Sequence, residues 1–313
     1  MSRTRRVVMA SAALFAAFVF GMLFQEVLDR KHSAREKVVL WGNGLYDHLD
    51  EGDRRPWGTG VDGRVVLSNE ETLELVWVAE LELWVGKYEV TLGQFLKMLR
   101  VVPGGTDEFA AHNIGDDDPM KYPAVMVGWS DAQRACRALN LRFGEFLPSG
   151  YVFRLPTEEE WEFIASNGDS RTYPWGDEWP PVPMADGILP NLLGSTVPVY
   201  VENSQDILEL LGPIPGHDDG WRSVSPVAAS GANEAGIYGL ADNVSEWCEG
   251  WFDEASSLRL LKGSDAMTSS SFECKISART AVRGQSPLSL RWGEVRNSGN
   301  NYSGFRVVIA PAL

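Results

Sequence analysis

Three cysteines (Cys136, Cys248, Cys274) and four histidines (His32, His48, His112, His217) are all the thiol and imidazole chemistry this 313-residue chain can offer. No pair of cysteines makes a CxxC or CxH spacing, so neither a thiolate zinc site nor a disulfide framework has enough ligands. Cys136 lies on a helical stripe and Cys248 between aromatic residues, which predicts buried free thiols. The histidines are widely dispersed, whereas a non-haem iron site needs two of them converging with a carboxylate. No Gly-x-Ser-x-Gly nucleophile elbow and no phosphate-cradling glycine loop occurs. The remaining candidates are hard oxygen donors, and tryptophans such as Trp179, Trp221 and Trp292 that could stack on a sugar or peptide.

These residues need elements to position them. Val65–Leu67, Leu75–Val78 and Leu81–Val85 read as short strands separated by polar residues. Thr91 is placed to cap a helix from Leu92, whose Leu92, Phe95, Leu96 and Leu99 share one face. Ser130 is expected to cap a second helix with Ala132, Ala135, Cys136 and Leu139 turned inward. Thr157 and Glu160 form a capping-box signature for a third helix ending at Asn167-Gly168. From Arg171 to about Gly236 the chain is rich in Pro, Gly and Asn, and a loop tract that long needs metal ions or aromatic anchors to hold it. Strand patterns return at Leu258–Lys262, Cys274–Ala281 and Ser303–Ile309.

Read in order, VGKYEVTLGQF, YPAVMVGWSDAQRACRALN, FRLPTEEEWEFIASNG, GLADNVSEW, LKGSDAM, SARTAVR and YSGFRVV resemble the formylglycine-generating enzyme (sulfatase-modifying factor) family across residues 60–313. The resemblance implies an α+β, C-type-lectin-like fold with low regular secondary structure, and it assigns Trp161, Trp247 and Trp251 to the core. It implies copper held by two cysteines about five residues apart, a soft pair suited to Cu(I). Counting back from Ala278-Arg279 puts those positions on Ala266 and Ser271, neither of which carries sulfur. Cys274 lies three residues off register, and Met267 is the only other soft donor in the segment. Copper oxidation is therefore not expected. An alternative enzyme would need a divergent site near Ser271, Cys274 and Arg279.

Calcium is the other cofactor the resemblance implies, and oxygen donors suit it. The family's first site uses an Asn-Ile pair and an Asp-Gly-Phe triplet, which by order map to Asp186 and Gly187, then Asp219 and Trp221. The second site maps to Gly239, Asp242, Val244 and Glu246, with one side-chain ligand lost at Gly239 unless Asp242 compensates.

Residues 1–6 form a basic tail, and Val7–Phe24 is an apolar run of membrane-spanning length without a small-residue cleavage site. It is expected to be an uncleaved, single-pass signal anchor carrying the body outside the cytoplasm, with residues 25–60 as stalk and 61–313 as the folded domain. The formal charge of −15 disfavours nucleic acid. A binding or scaffold subunit of the cell envelope with a protein or peptide partner is the expectation. A lectin-like display surface at Arg291–Tyr302 is the alternative.

Overall fold

The computed structural model describes residues 38–40, 62–99, 118–194, 212–253, 255, 257–282 and 302–313. Val7–Phe24, and all of the Arg291–Tyr302 loop except Tyr302, lie outside these. No helix among the described residues is long and apolar enough to cross a membrane.

Two sheets organise the domain. The larger runs β1-β2-β3-β4-β10-β5. Its strands are β1 (Val38–Leu40), β2 (Gly63–Val66), β3 (Thr72–Val78), β4 (Leu83–Gly86), β5 (Tyr151–Arg154) and β10 (Val308–Pro311). The smaller has the order β8-β7-β6-β9, with β6 (Ser245–Asp253), β7 (Leu258–Lys262), β8 (Thr280–Val282) and β9 (Ser303–Gly304). All pairings are antiparallel except β6 with β9. The last strand enters the larger sheet between β4 and the edge strand β5, pairing with both.

Every residue of β4 is buried because both faces of the larger sheet are covered. Trp84 and Ile309 face one core with Phe95, Leu139 and Phe153, under helices α1 (Leu92–Leu99) and α2 (Trp129–Phe143). Leu83, Val85 and Val308 face a second core with Trp161 and Ile164 of α3 (Glu158–Ala165). Alternation along β4 thus separates two apolar environments rather than core from solvent.

Two of the expected caps are present. The Thr91 hydroxyl accepts from Gln94 N at 3.1 Å and the Gln94 side chain accepts from Thr91 N at 3.0 Å. Thr157 and Glu160 make the same reciprocal pair on α3. Ser130 is not a cap: the extended cap residue is Gly128, and Trp129 is already helical. The Trp129 indole fixes this start by donating to Cys248 O at 3.0 Å.

Other differences trace to tertiary pairing. Leu81 falls in a tight turn, Ala79–Leu81, before β4. Of Cys274–Ala281 only the end, from Thr280, is strand, while Cys274 lies in a turn with its amide on Ser270 O. Ser303–Ile309 splits into β9 and β10, one in each sheet. Val38–Leu40, within the expected stalk, pairs with β2.

Candidate functional site

The crossing from β9 to β10 carries Arg306 between the sheets, where it is fully buried. Its Nε donates to Glu246 Oε2 at 2.7 Å and Oε1 at 2.9 Å, and Nη2 also reaches Glu246 Oε1. Nη1 donates to Gly86 O at 3.0 Å, and Nη2 to Tyr238 O at 2.7 Å and Gly239 O at 3.0 Å. The Trp161 indole donates to Glu246 Oε2 at 2.7 Å. One guanidinium thus ties the ends of β4 and β6 to the loop before β6, and the buried charges neutralise each other.

Glu89 shares this interior. It is fully buried and accepts from Asn243 Nδ2 at 2.9 Å through Oε1, while Oε2 has no hydrogen-bond partner among the described residues. Burial pushes its carboxyl well above the usual range, against the lowering influence of Arg306, and Glu246 and Asp242 push the same way as burial. Gly239 adopts φ +64°, and a Cβ placed there would lie 2.3 Å from Glu89 Cδ. The Glu89 carboxyl occupies the space a side-chain ligand at position 239 would need.

Asp242, also buried, accepts from Asn191 N at 2.7 Å and from the Ser230 hydroxyl, both on Oδ2. Burial raises its carboxyl to about 7. Its side chain therefore secures the irregular tract rather than joining Glu246. Val244 packs with Tyr122, Val125, Val224 and Ala266.

Asp219 accepts from Leu192 N at 2.9 Å and Trp221 N at 2.8 Å. Asp186 instead accepts from Ile188 N and Ala232 N, both at 3.1 Å, and Gly187 takes φ +84° in that turn. The tract segment bonded to Asp219 is thus at Leu192, next to Asn191, while Asp186 and Gly187 lie in a separate turn. Asn191 is buried, its Nδ2 donates to Ser223 O and to Asn243 Oδ1 (3.0 Å each), and its Oδ1 has no partner among the described residues. Ordering by position passed over an Asn followed by an aliphatic residue, although that pair matches the motif by residue type. Among the described residues no three His, Cys, Asp or Glu side chains are grouped to hold a metal ion, so a cation near Asp219 would also need amide and carbonyl oxygens.

The positions where the resemblance expects thiolates, Ala266 and Ser271, carry no sulfur. Ala266 is buried in the Val244 cluster, and Met267 is exposed. Cys274 is buried, its sulfur accepts from the Ser264 hydroxyl at 3.3 Å, and burial pushes its thiol to about 12. Arg279 pairs with Glu158 at 2.7 Å. Ser271 hydrogen-bonds Tyr173 instead. The three residues of the alternative site are each engaged with different neighbours. Cys136, Cys248 and Cys274 are all buried free thiols. The only histidine among the described residues, His217, is buried with Nε2 3.0 Å from Pro190 O.

Trp161 and Trp247 are core residues, and the Trp247 indole donates to Val127 O at 2.6 Å. Trp251 is not: it is 40% exposed. The Arg259 guanidinium lies 3.2 Å from its ring centroid and 3.5 Å from that of Trp129. Of the stacking candidates, Trp179 leans on Tyr173 and Trp175 in a third cluster, and Trp292 lies outside the described residues.

An antiparallel sheet and a smaller mixed one, with three α-helices among the described residues and a long irregular tract, define a sulfatase-modifying-factor type of domain. Residues 57–311 match the model of the sulfatase-modifying factor enzyme 1-like domain, and the chain belongs to this family. A relative named "Inactive C-alpha-formylglycine-generating enzyme 2" from Bos taurus is 28% identical over 198 residues, covering 61% of this chain and 52% of that protein. A "Formylglycine-generating enzyme" from Thermomonospora curvata is 32% identical over 136 residues, covering 43% of this chain and 35% of that one. The chain thus spans about half or less of the length of these curated relatives. Among solved structures, Treponema denticola variable protein 1 aligns with a TM-score of 0.46 at 17% identity, over 82% of this chain and 99% of that one.

Proposed function

We propose that this chain is a membrane-anchored member of its family that does not perform copper oxidation and works by binding, as a receptor or scaffold subunit of the cell envelope. The observation that carries this reading is Ala266 and Ser271 at the two thiolate positions, with the one nearby cysteine buried as a neutral thiol. A Cu(I) site needs accessible thiolates, and a thiol near 12 is protonated at neutral pH. The relative named as inactive supports the same reading. Purified protein is expected to bind no stoichiometric copper and to leave a sulfatase-type cysteine peptide unmodified by mass spectrometry. Peptide oxidation accompanied by bound Cu(I) refutes the reading.

Anchoring rests on Val7–Phe24. The full-length protein is expected to stay with membranes through carbonate washing and to keep its N-terminal residues, since burying that apolar run opposes release. A mature chain beginning after Phe24 contradicts this. Protease added outside the cytoplasmic membrane is expected to digest the body, and protection of the body contradicts the orientation.

Two observations favour a calcium-binding reading as well: Asn191 Oδ1 has no hydrogen-bond partner among the described residues, and the next amide, Leu192 N, donates to Asp219. Asn191, Asp219 and the carbonyls of Leu192 and Trp221 are the donors we assign, all of them hard oxygens. Calcium at saturating concentration is expected to raise the melting temperature by mass action, and Asp219→Ala to abolish most of that rise. Identical melting curves in chelator and in excess calcium remove calcium from the account.

A further inference from the structure

The second cation position implied by the family resemblance comprises Gly239, Asp242, Val244 and Glu246, and the structure engages the side-chain oxygens of Glu246 and Asp242 and the side-chain space at Gly239 in other ways. Both Glu246 oxygens receive Arg306, and one of them also receives the Trp161 indole. The Gly239 carbonyl accepts from Arg306 at 3.0 Å, and the space for a side chain at 239 is filled by Glu89. The Asp242 side chain is turned to Asn191 and Ser230. Calcium requires six to eight oxygens at about 2.3–2.6 Å. Here four groups, the Glu246 carboxylate and the carbonyls of Gly86, Tyr238 and Gly239, already converge on one guanidinium.

We propose that the Arg306 guanidinium stands in the second cation position, closing the Glu246 pocket so that it takes no metal. A monovalent cation covalently part of the chain replaces a dissociable divalent one. It cannot be removed by a chelator, and its positive charge repels any second cation from the same oxygens. A planar fork suits this role, because it spreads its donors over a carboxylate and three carbonyls that lie in different directions. The proposal predicts that calcium control over this domain, if present, acts through Asp219 alone. It rests on the calcium reading only for the identity of that other site.

Terbium luminescence on the full-length protein in detergent tests it. An ion bound by Glu246 would lie beside the Trp161 indole, which would sensitise its emission. Trp161→Phe is expected to leave calcium-competed terbium emission unchanged in the otherwise native chain. Asp219→Ala is expected to lose that emission. Emission that persists in Asp219→Ala and disappears in the Asp219→Ala/Trp161→Phe double variant overturns the proposal, as does its loss in Trp161→Phe alone. Failure of the calcium reading shows differently, as a native chain with no calcium-competed emission, and leaves the Glu246 pocket closed as proposed.

Discussion

Glu246→Gln is expected to destabilise the domain by about 3–5 kcal/mol, because it leaves the fully buried Arg306 without a counter-charge. The substitution barely alters shape, so the loss isolates charge rather than packing. The amide oxygen can still accept, but the new NH₂ group opposes the guanidinium donors that now reach both Glu246 oxygens. A shift of this size lowers the melting temperature by roughly 10 °C in a domain of this length. Glu159→Gln, on the exposed side of α3, is the control and should stay within about 0.5 kcal/mol. Coupling can be separated from simple loss by a double-mutant cycle. Glu246→Gln combined with Arg306→Met is expected to cost clearly less than the sum of the two single changes, because no buried charge then remains unpaired. Additive losses, or a Glu246→Gln variant as stable as the control, would mean that the pair contributes little.

The second large effect is expected at Glu160 and depends on pH. Arg154 grips this carboxylate with two bonds of 2.7 Å, and Thr157 N donates to it at 2.8 Å. Arg154 also donates to Pro311 O at 3.1 Å, so the pair joins the start of α3 to β5 and the C-terminal strand. Burial tends to raise the Glu160 carboxyl, and the hydrogen bonds from Arg154 and Thr157 outweigh it, leaving the group below its usual value. A carboxyl depressed in the folded state contributes stability above its unfolded pKa of 4.5, and that contribution is lost as pH falls through the lower folded value. Glu160→Gln is expected to cost about 2–3 kcal/mol at neutral pH, the range of a hydrogen bond to a charged group. The difference between variant and native chain should shrink as pH falls below 4.5 and through the lower folded value, as the native carboxyl itself becomes protonated. Urea denaturation midpoints across that range measure it. A deficit that stays constant with pH would show that the lost interaction is not ionic.

Residue order alone determined the parts of this protein that depend on near neighbours. The two capping boxes join residues three apart, so Thr91 with Gln94 and Thr157 with Glu160 need no distant partner for their bonds. The missing thiolates at Ala266 and Ser271 are a matter of composition at two positions, and no packing can supply sulfur there. Membership of the family followed from the order of its motifs, and the match over residues 57–311 agrees with that reading. Local signals failed where a distant partner decided the outcome. Ser130 has the chemistry of a cap, yet the helix begins earlier because Trp129 is anchored on Cys248, 119 residues away. Cys274 sits in an apolar pattern that suits a strand, but its amide instead closes a turn on Ser270 O, and among the described residues no strand pairs with it. Asp186 and Asn191 could not be told apart by order, since only the folded loop shows whose amides meet Asp219. Glu246 is the clearest instance. The family resemblance implies an oxygen ligand there, whereas Trp161 reaches it from 85 residues before and Arg306 from 60 residues after. Whether a buried carboxylate holds a metal or an arginine depends on which cation the chain crossing brings within hydrogen-bonding distance, and only the tertiary structure sets that distance.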